Sequence, residues 1–254
     1  MSSIFLPIVM LLVVLFVFVL VATYLFRHVH HSKLRSHHDV AGFIYANIGI
    51  LYGILLAFVV IEAYEGHKEA EQLVQNEATH IANLFRSAEL FPEGVRKNIR
   101  SEIISFTKQI TEQEWPEMAS GQISENSQIY YHKIWKAFYA FTPVTEQQKY
   151  WYQQSLSELN AFADAHRARQ MSAHSELPTF MWVVLVLGGV ITIAFSFLFG
   201  TETLWAKLTM VSSLTLIIGL IFWLIYALSH PYSGIIAISP EFVETQIKHL
   251  SSML

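Results

Sequence analysis

The stretch that decides the fold is VAGFIYANIGILYGILLAFVVIEAYEGHKEAEQLVQNEATHIANLFRSAEL, Val40 to Leu90. It has no proline. Its first part, Val40 to Ile61, carries no charge and is long enough to cross a hydrocarbon core about 30 Å thick, which takes about 20 apolar residues. Past Glu62 the apolar residues recur at Ala70, Leu73, Val74, Ala78, Ile81, Leu84, Phe85 and Ala88, with Glu65, Lys68, Glu69, Gln72, Gln75 and Asn76 between them. That is the three-four spacing of one helix face. The pattern predicts a single helix, about 75 Å long at 1.5 Å per residue, that leaves the bilayer and enters a soluble module.

Three further windows meet the same length criterion. Ile4 to Phe26 and Thr179 to Phe199 carry no charge, and Leu204 to Leu228 carries only Lys207, placed near its start where the side chain is expected to snorkel. The first window has no Lys or Arg before it and a long apolar run ending in Tyr24, Leu25 and Phe26. It reads as a retained helix and not as a cleaved signal. The fold class is therefore all-α and integral to a membrane. Four transmembrane helices are expected, with a helical extramembrane module between the second and third. Residues 1–39 hold the first helix and a basic, His-rich loop, 40–61 the second helix, 62–178 the module, 179–229 a transmembrane hairpin, and 230–254 a tail.

Composition agrees. Of 254 residues, 53% are hydrophobic and only 14% charged, against roughly 25% charged in an average soluble domain. The net charge of −4 gives no basic stripe for a nucleic acid. Cysteine is absent, so disulfides and thiolate metal sites are excluded.

The module reads as helices throughout. Pro92 and Glu93 fit a helix start. Val95, Ile99, Ile103, Phe106 and Ile110 form a stripe, and Trp115 with Pro116 breaks or kinks the chain. Ile129, Ile134, Trp135 and Phe138 mark another helix, ended by Thr142 and Pro143. A long polar helix follows from Thr145 to about Ser175, with Trp151, Leu156, Leu159, Phe162 and His166 on or near one face. In the tail, Ser239, Pro240 and Glu241 start a short helix whose apolar face is Phe242, Val243, Ile247 and Leu250. The basic residues Arg27, Lys33 and Arg35 favour a cytoplasmic first loop, which puts the module on the other side.

Candidate functional residues concentrate on the second span. Gly42, Ala46, Gly49, Gly53 and Ala57 lie three or four apart. Small side chains so spaced let another backbone approach closely, or leave room for ions along a pore wall. Asn47 and Tyr52 add polar groups. Glu62, Glu65 and Glu69 stand at the membrane end of the helix. They are either a solvated face or, in an oligomer with this helix innermost, rings of carboxylates that concentrate cations. Thr209, Ser212, Ser213, Thr215 and Gly219 on the last span read as helix packing. Five histidines between Arg27 and His38 invite a metal or pH-sensor reading, but the segment has no cysteine and no carboxylate apart from Asp39, which favours a flexible interfacial loop. No P-loop, H-E-x-x-H, G-x-S-x-G or dinucleotide turn is present, and Glu112, Glu114 and Trp115 read as a helix end. No catalytic, cofactor or metal site is assigned.

GILLAF (Gly53 to Phe58), with the following residues to Pro92, resembles the bestrophin-like domain family of bacteria and plants. So do Glu114 with Trp115, LPTFMW (Leu177 to Trp182), FSFLFG (Phe195 to Gly200), HPYSG (His230 to Gly234) and SPEFV (Ser239 to Val243). The resemblance covers most of the chain after about Leu51. It implies kinship with bestrophins, which are oligomeric anion channels with four membrane helices per subunit. Glu62 and Glu65 would instead favour cations, so selectivity stays open. The expectation is a homo-oligomeric ion channel in the membrane, by the resemblance the inner membrane of a bacterium, in contact with lipid and inorganic ions. The alternative is a non-conducting sensor or scaffold whose module binds a partner. A membrane enzyme is disfavoured.

Overall fold

The structure is a computed structural model. It describes residues 38–122, 127–173, 177–199 and 203–252, together with residues 13, 17, 18, 20, 21, 23 and 24. All regular structure among the described residues is helical. The chain divides into two compact units: Met1–Gly66 with Glu176–Ser229, and His67–Ser175 with His230–Leu254. Helix α1, His38–Ser87, is unbroken over 50 residues, as the proline-free run predicts, and the division falls within it.

The first unit holds the membrane helices: α1 up to Gly66, α6 at Thr179–Ser196 and α7 at Leu204–Leu228. Among the described residues, three helices are long and apolar enough to cross a membrane. The expected first span, Ile4 to Phe26, lies outside the described residues apart from the seven named above, which are helical. One of them, Phe18, lies near Phe197 with the rings tilted at 30° and their centroids 6.4 Å apart. The His-rich segment from Arg27 to His37 also lies outside them.

Tyr52 joins α1 to α6. Its hydroxyl donates to the Leu185 carbonyl at 2.9 Å, and its ring lies where a side chain at Gly188 would have to go, 2.5 Å from an ideal Cβ. Only glycine permits that approach. At Gly189 a Cβ would meet Tyr52, Ile218 and Phe222 at 3.0 to 3.5 Å, so the same pair of glycines seats α7. Tyr45 packs on Phe195 and Phe199, at 6.0 and 5.2 Å.

Lys207 departs from expectation. It does not snorkel to water but is buried, with 5% exposure. Its Nζ donates to the carbonyls of Phe197 and Phe199 at 2.9 and 2.7 Å. The last carbonyls of a helix have no intrahelical partner, and a cation there also meets the negative end of the helix dipole. Thr209 and Thr215 bond their own helix, donating to the carbonyls of Trp205 and Val211.

The second unit is built on a separate core. After a 3-10 turn at Ala88–Leu90 come α2 (Glu93–Gln109), a π turn (Ile110–Glu114), α3 (Trp115–Ala119), α4 (Ser127–Tyr139) and α5 (Glu146–Ser172), and the tail adds α8 (Glu241–Ser251). Phe85, Phe106, Phe138 and Phe162 are fully buried. Phe91 meets Phe138, Phe141 and Tyr152 edge-on, and Phe106 meets Phe162 the same way. The Ile99–Ile110 stripe is buried as its spacing predicts, with Val95 only partly covered. Thr145 and Gln148 form a reciprocal capping box at the start of α5.

Two expected core positions are not core. Trp151 is 37% exposed, because the buried side of α5 is drawn by Leu159, Phe162, His166 and Arg169. Phe242 is 52% exposed, whereas Val243 and Leu250 carry the buried side of α8. The break expected at Trp115 and Pro116 takes the form of the π turn just before them, with Pro116 in the first turn of α3.

Candidate functional site: the membrane face of α1

Within the first unit, Tyr52, Leu56, Val59 and Ala63 form the buried side of α1. The small-residue stripe does not lie on that side. Ala46, Gly49, Gly53 and Ala57 are exposed, and Gly42 is half-buried. No heavy atom lies within 4 Å of an ideal Cβ at Gly49 or Gly53, and only the Phe199 ring approaches Gly42, at 3.9 Å. Among the described residues, a surface suited to close backbone approach thus has no partner.

Asn47, Glu62 and Glu65 are also exposed, but elsewhere on the helix. At about 100° per residue, Asn47 and Glu65 each lie about 120° round from Gly53, and Glu62 about 180°. They share a side with Ile54 and Phe58, which are 50% and 67% exposed. Asn47 donates through Nδ2 to the Phe43 carbonyl at 2.8 Å. The candidates therefore divide into a small-residue side and a bulkier side that carries the polar groups, and one axis cannot face both. This phase difference is contained in the residue numbers. Glu69 is exposed and belongs to the second unit.

A second cluster escapes the sequence reading altogether. In the second unit Glu77 of α1, Glu114 of the π turn and Arg169 of α5 are all 0% exposed. The Arg169 guanidinium donates to both carboxylates: Nε bonds Glu77 Oε2, and Nη2 bonds Glu114 Oε1. His166 Nδ1 lies 2.7 Å from Glu77 Oε1, and its Nε2 lies 3.8 Å from Glu114 Oε2. Burial by itself would raise the Glu77 pKa, but Arg169 and His166 outweigh it and hold the carboxyl well below its ordinary range. Burial likewise opposes the charge on Arg169, and the two carboxylates more than restore it. The sequence signal for this cluster is Glu77 itself, a charge three residues after Val74 and four before Ile81, in the middle of an apolar stripe.

An all-helical chain whose long helices leave most of their apolar windows uncovered, 17 to 22% buried, is an integral membrane protein, since that surface requires lipid or another subunit. The bestrophin-like domain model matches residues 13–242, and the chain belongs to that family. A bacterial bestrophin homolog from Klebsiella pneumoniae has the same fold. One crystal structure of it, of a variant with one leucine replaced by threonine, superposes with a TM-score of 0.70 at 13% identity, covering 97% of this chain and 98% of that one. Another, solved by Zn-SAD phasing, gives the same values. A crystal structure of a substituted membrane protein reaches a TM-score of 0.71 at 12% identity, over 94% of this chain and 96% of that one. Identity at this level establishes the shared fold alone. No curated protein matches in sequence.

Proposed function

We propose that the protein is a homo-oligomeric ion channel in which α1, the second membrane helix of each subunit, lines the pore. The observation that carries this reading is that α1 has two sides left uncovered by the described residues. In a membrane, a small-residue side packs against another helix, whereas polar and charged side chains face a water-filled cavity. The small side, Ala46, Gly49, Gly53 and Ala57, is assigned to contact between subunits. The side with Asn47, Ile54, Phe58, Glu62 and Glu65 is assigned to the axis. Symmetry turns each of its residues into a ring. Ile54 and Phe58 then form an apolar constriction of the kind that gates by dewetting, and Glu62 and Glu65 form acidic rings at its mouth. Which ion passes is left to measurement. The bestrophin kinship and the acidic residues point in opposite directions.

The test is recording from purified protein in a planar bilayer. Glu62→Gln with Glu65→Gln removes two charges per subunit, and their field reaches about a Debye length, roughly 8 Å in physiological salt. The expected result is lower cation conductance or a reversal potential shifted toward anions, largest at low salt. Unchanged selectivity in correctly sized complexes would remove the acids from the pore mouth. A parent protein silent at every pH, calcium level, voltage and tension would favour a non-conducting sensor or scaffold.

A further inference from the structure

The buried cluster in the second unit is joined to the C-terminal segment by a short path. Arg169 lies over the Trp115 ring, 5.3 Å from its centroid. The Trp115 indole N–H donates to the Ile238 carbonyl at 3.2 Å, and its ring meets Tyr232 edge-on at 5.6 Å. Tyr232 is 4% exposed, and its hydroxyl is 2.8 Å from that of Ser172. Ser172 in turn donates to the Arg169 carbonyl at 2.7 Å. Trp115 and Ser172 thus touch the cluster on one side and the tail on the other.

The cluster's charge depends on a single proton. Glu77 and Glu114 contribute two negative charges and Arg169 one positive charge. One negative charge remains when His166 is neutral, and none when it is an imidazolium. His166 has both ring nitrogens turned to the two carboxylates, so a second proton on the ring points at Glu114 Oε2. That oxygen is buried and has no hydrogen-bond partner. Arg169 Nη2 lies 3.3 Å from His166 Nδ1, and the aromatic neighbours of the His166 ring are Phe106 and Phe162. The charged or titratable groups around the cluster are therefore Glu77 from α1, Glu114 from the π turn, Arg169 from α5 and Tyr232 from the tail. Burial pushes the Tyr232 phenol up from its ordinary value, which keeps it neutral through the range where an imidazole titrates.

We propose that the Glu77–His166–Arg169–Glu114 cluster is a proton-binding site that sets how firmly the C-terminal segment, from Tyr232 through α8, docks on the helical module. With the proton bound the cluster is neutral and compact, and Trp115 holds Ile238 and Tyr232. Without it, an unbalanced charge sits in a dry site and is relieved by admitting water along the seam closed by Trp115 and Tyr232. Docking is firm with the proton bound and loosens as a rising pH removes it. This inference is independent of whether the protein conducts ions.

The experiment is hydrogen exchange by mass spectrometry on the full-length protein in detergent, from about pH 5.5 to 8.5, with rates corrected for intrinsic pH dependence. Peptides covering Tyr232 to Leu250 report the docking. In the parent, their protection should fall above a midpoint by up to about tenfold per pH unit, the slope of one linked proton. Two substitutions have opposite expected effects. Glu114→Gln keeps an acceptor for Arg169 and balances the cluster without the proton, so the tail should stay protected across the whole range. His166→Gln fixes the unbalanced charge, so the tail should exchange quickly throughout. His80→Gln alters the other His–Glu pair between α1 and α5, His80 with Glu158 at 2.7 Å, and should leave the step in place. A parent without a step, a Glu114→Gln protein with the parent's step, or loss of the step in His80→Gln would each overturn the proposal. If His166→Gln does not fold, the Glu114→Gln result decides alone.

Discussion

Replacing Arg169 by methionine isolates the electrostatics of the buried cluster. Methionine fills much of the same volume next to Met118 and Trp115, which the arginine side chain touches. What it removes is the guanidinium that donates to both Glu77 and Glu114, each 0% exposed. Breaking a buried ion pair from one side costs about 3–5 kcal/mol, because the remaining charge has no compensation. At about 2–4 °C per kcal/mol for a chain of this size, the melting temperature should fall by roughly 6–20 °C. Thermal unfolding of the purified protein, followed by tryptophan fluorescence at pH 7, measures it. The pH dependence supplies a second sign. In the parent the Glu77 pKa is depressed, so its stabilisation is full above the ordinary carboxylate value and is lost as the pH falls through the depressed one. In Arg169→Met the two buried carboxylates lose the guanidinium, so protonation of the cluster relieves them and stability should rise as the pH drops from 7 to 5. Glu77→Gln, Arg169→Met and Glu114→Gln combined should recover to within about 2 kcal/mol of the parent, since a neutral buried set avoids the desolvation of charge. A single variant that loses less than about 1 kcal/mol, or one whose deficit is the same at pH 5 and pH 7, would refute this account of the cluster.

The membrane unit offers two further tests. Gly188→Ala puts a methyl group 2.5 Å from the Tyr52 ring, and overpacking of this kind costs about 1–3 kcal/mol. Thermal stability in detergent should fall and be partly restored by adding Tyr52→Leu. Tyr52→Phe removes only the bond to Leu185 and should cost less, about 0.5–1.5 kcal/mol. Lys207→Met leaves the Phe197 and Phe199 carbonyls without their donor, at about 1–3 kcal/mol. Lys207→Arg, which keeps the charge and the donors, should retain more of the melting temperature than the methionine.

What the sequence disclosed and what it did not follow from the range of the forces involved. Spans and helix starts rest on local chemistry. The apolar windows, the proline-free run of α1 and the helix starts at Pro92 with Glu93 and at Pro240 with Glu241 could be read residue by residue. The charge cluster could not, because its partners stand 89 and 92 residues apart in the chain. A single glutamate or arginine on a helix reads as solvated until the facing helix is known. Lys207 misled for a related reason. Near a helix start it has a free path to water, and only the antiparallel neighbour offers the carbonyls that bury it. The two sides of α1 lie between these cases, since the angular separation of Gly53 from Glu62 is in the numbering, but which side is covered by the chain itself depends on Tyr52 reaching α6.

The π turn at Ile110–Glu114 has a consequence for how the chain tolerates changes of length. A π turn amounts to one surplus residue lodged in a helical screw. Everything after it is set back by about 100° relative to a regular helix of the same numbering. That setback is what brings Glu114, Trp115 and Met118 inward together after the regular rhythm of Ile99, Ile103, Phe106 and Ile110. Removing Gln113 would take out that surplus residue and let a regular helix deliver Glu114 and Trp115 in the same phase, still facing Arg169 and Tyr232. The segment therefore tolerates the loss of one exposed residue better than the gain of another, which would turn Glu114 and Trp115 off the buried side.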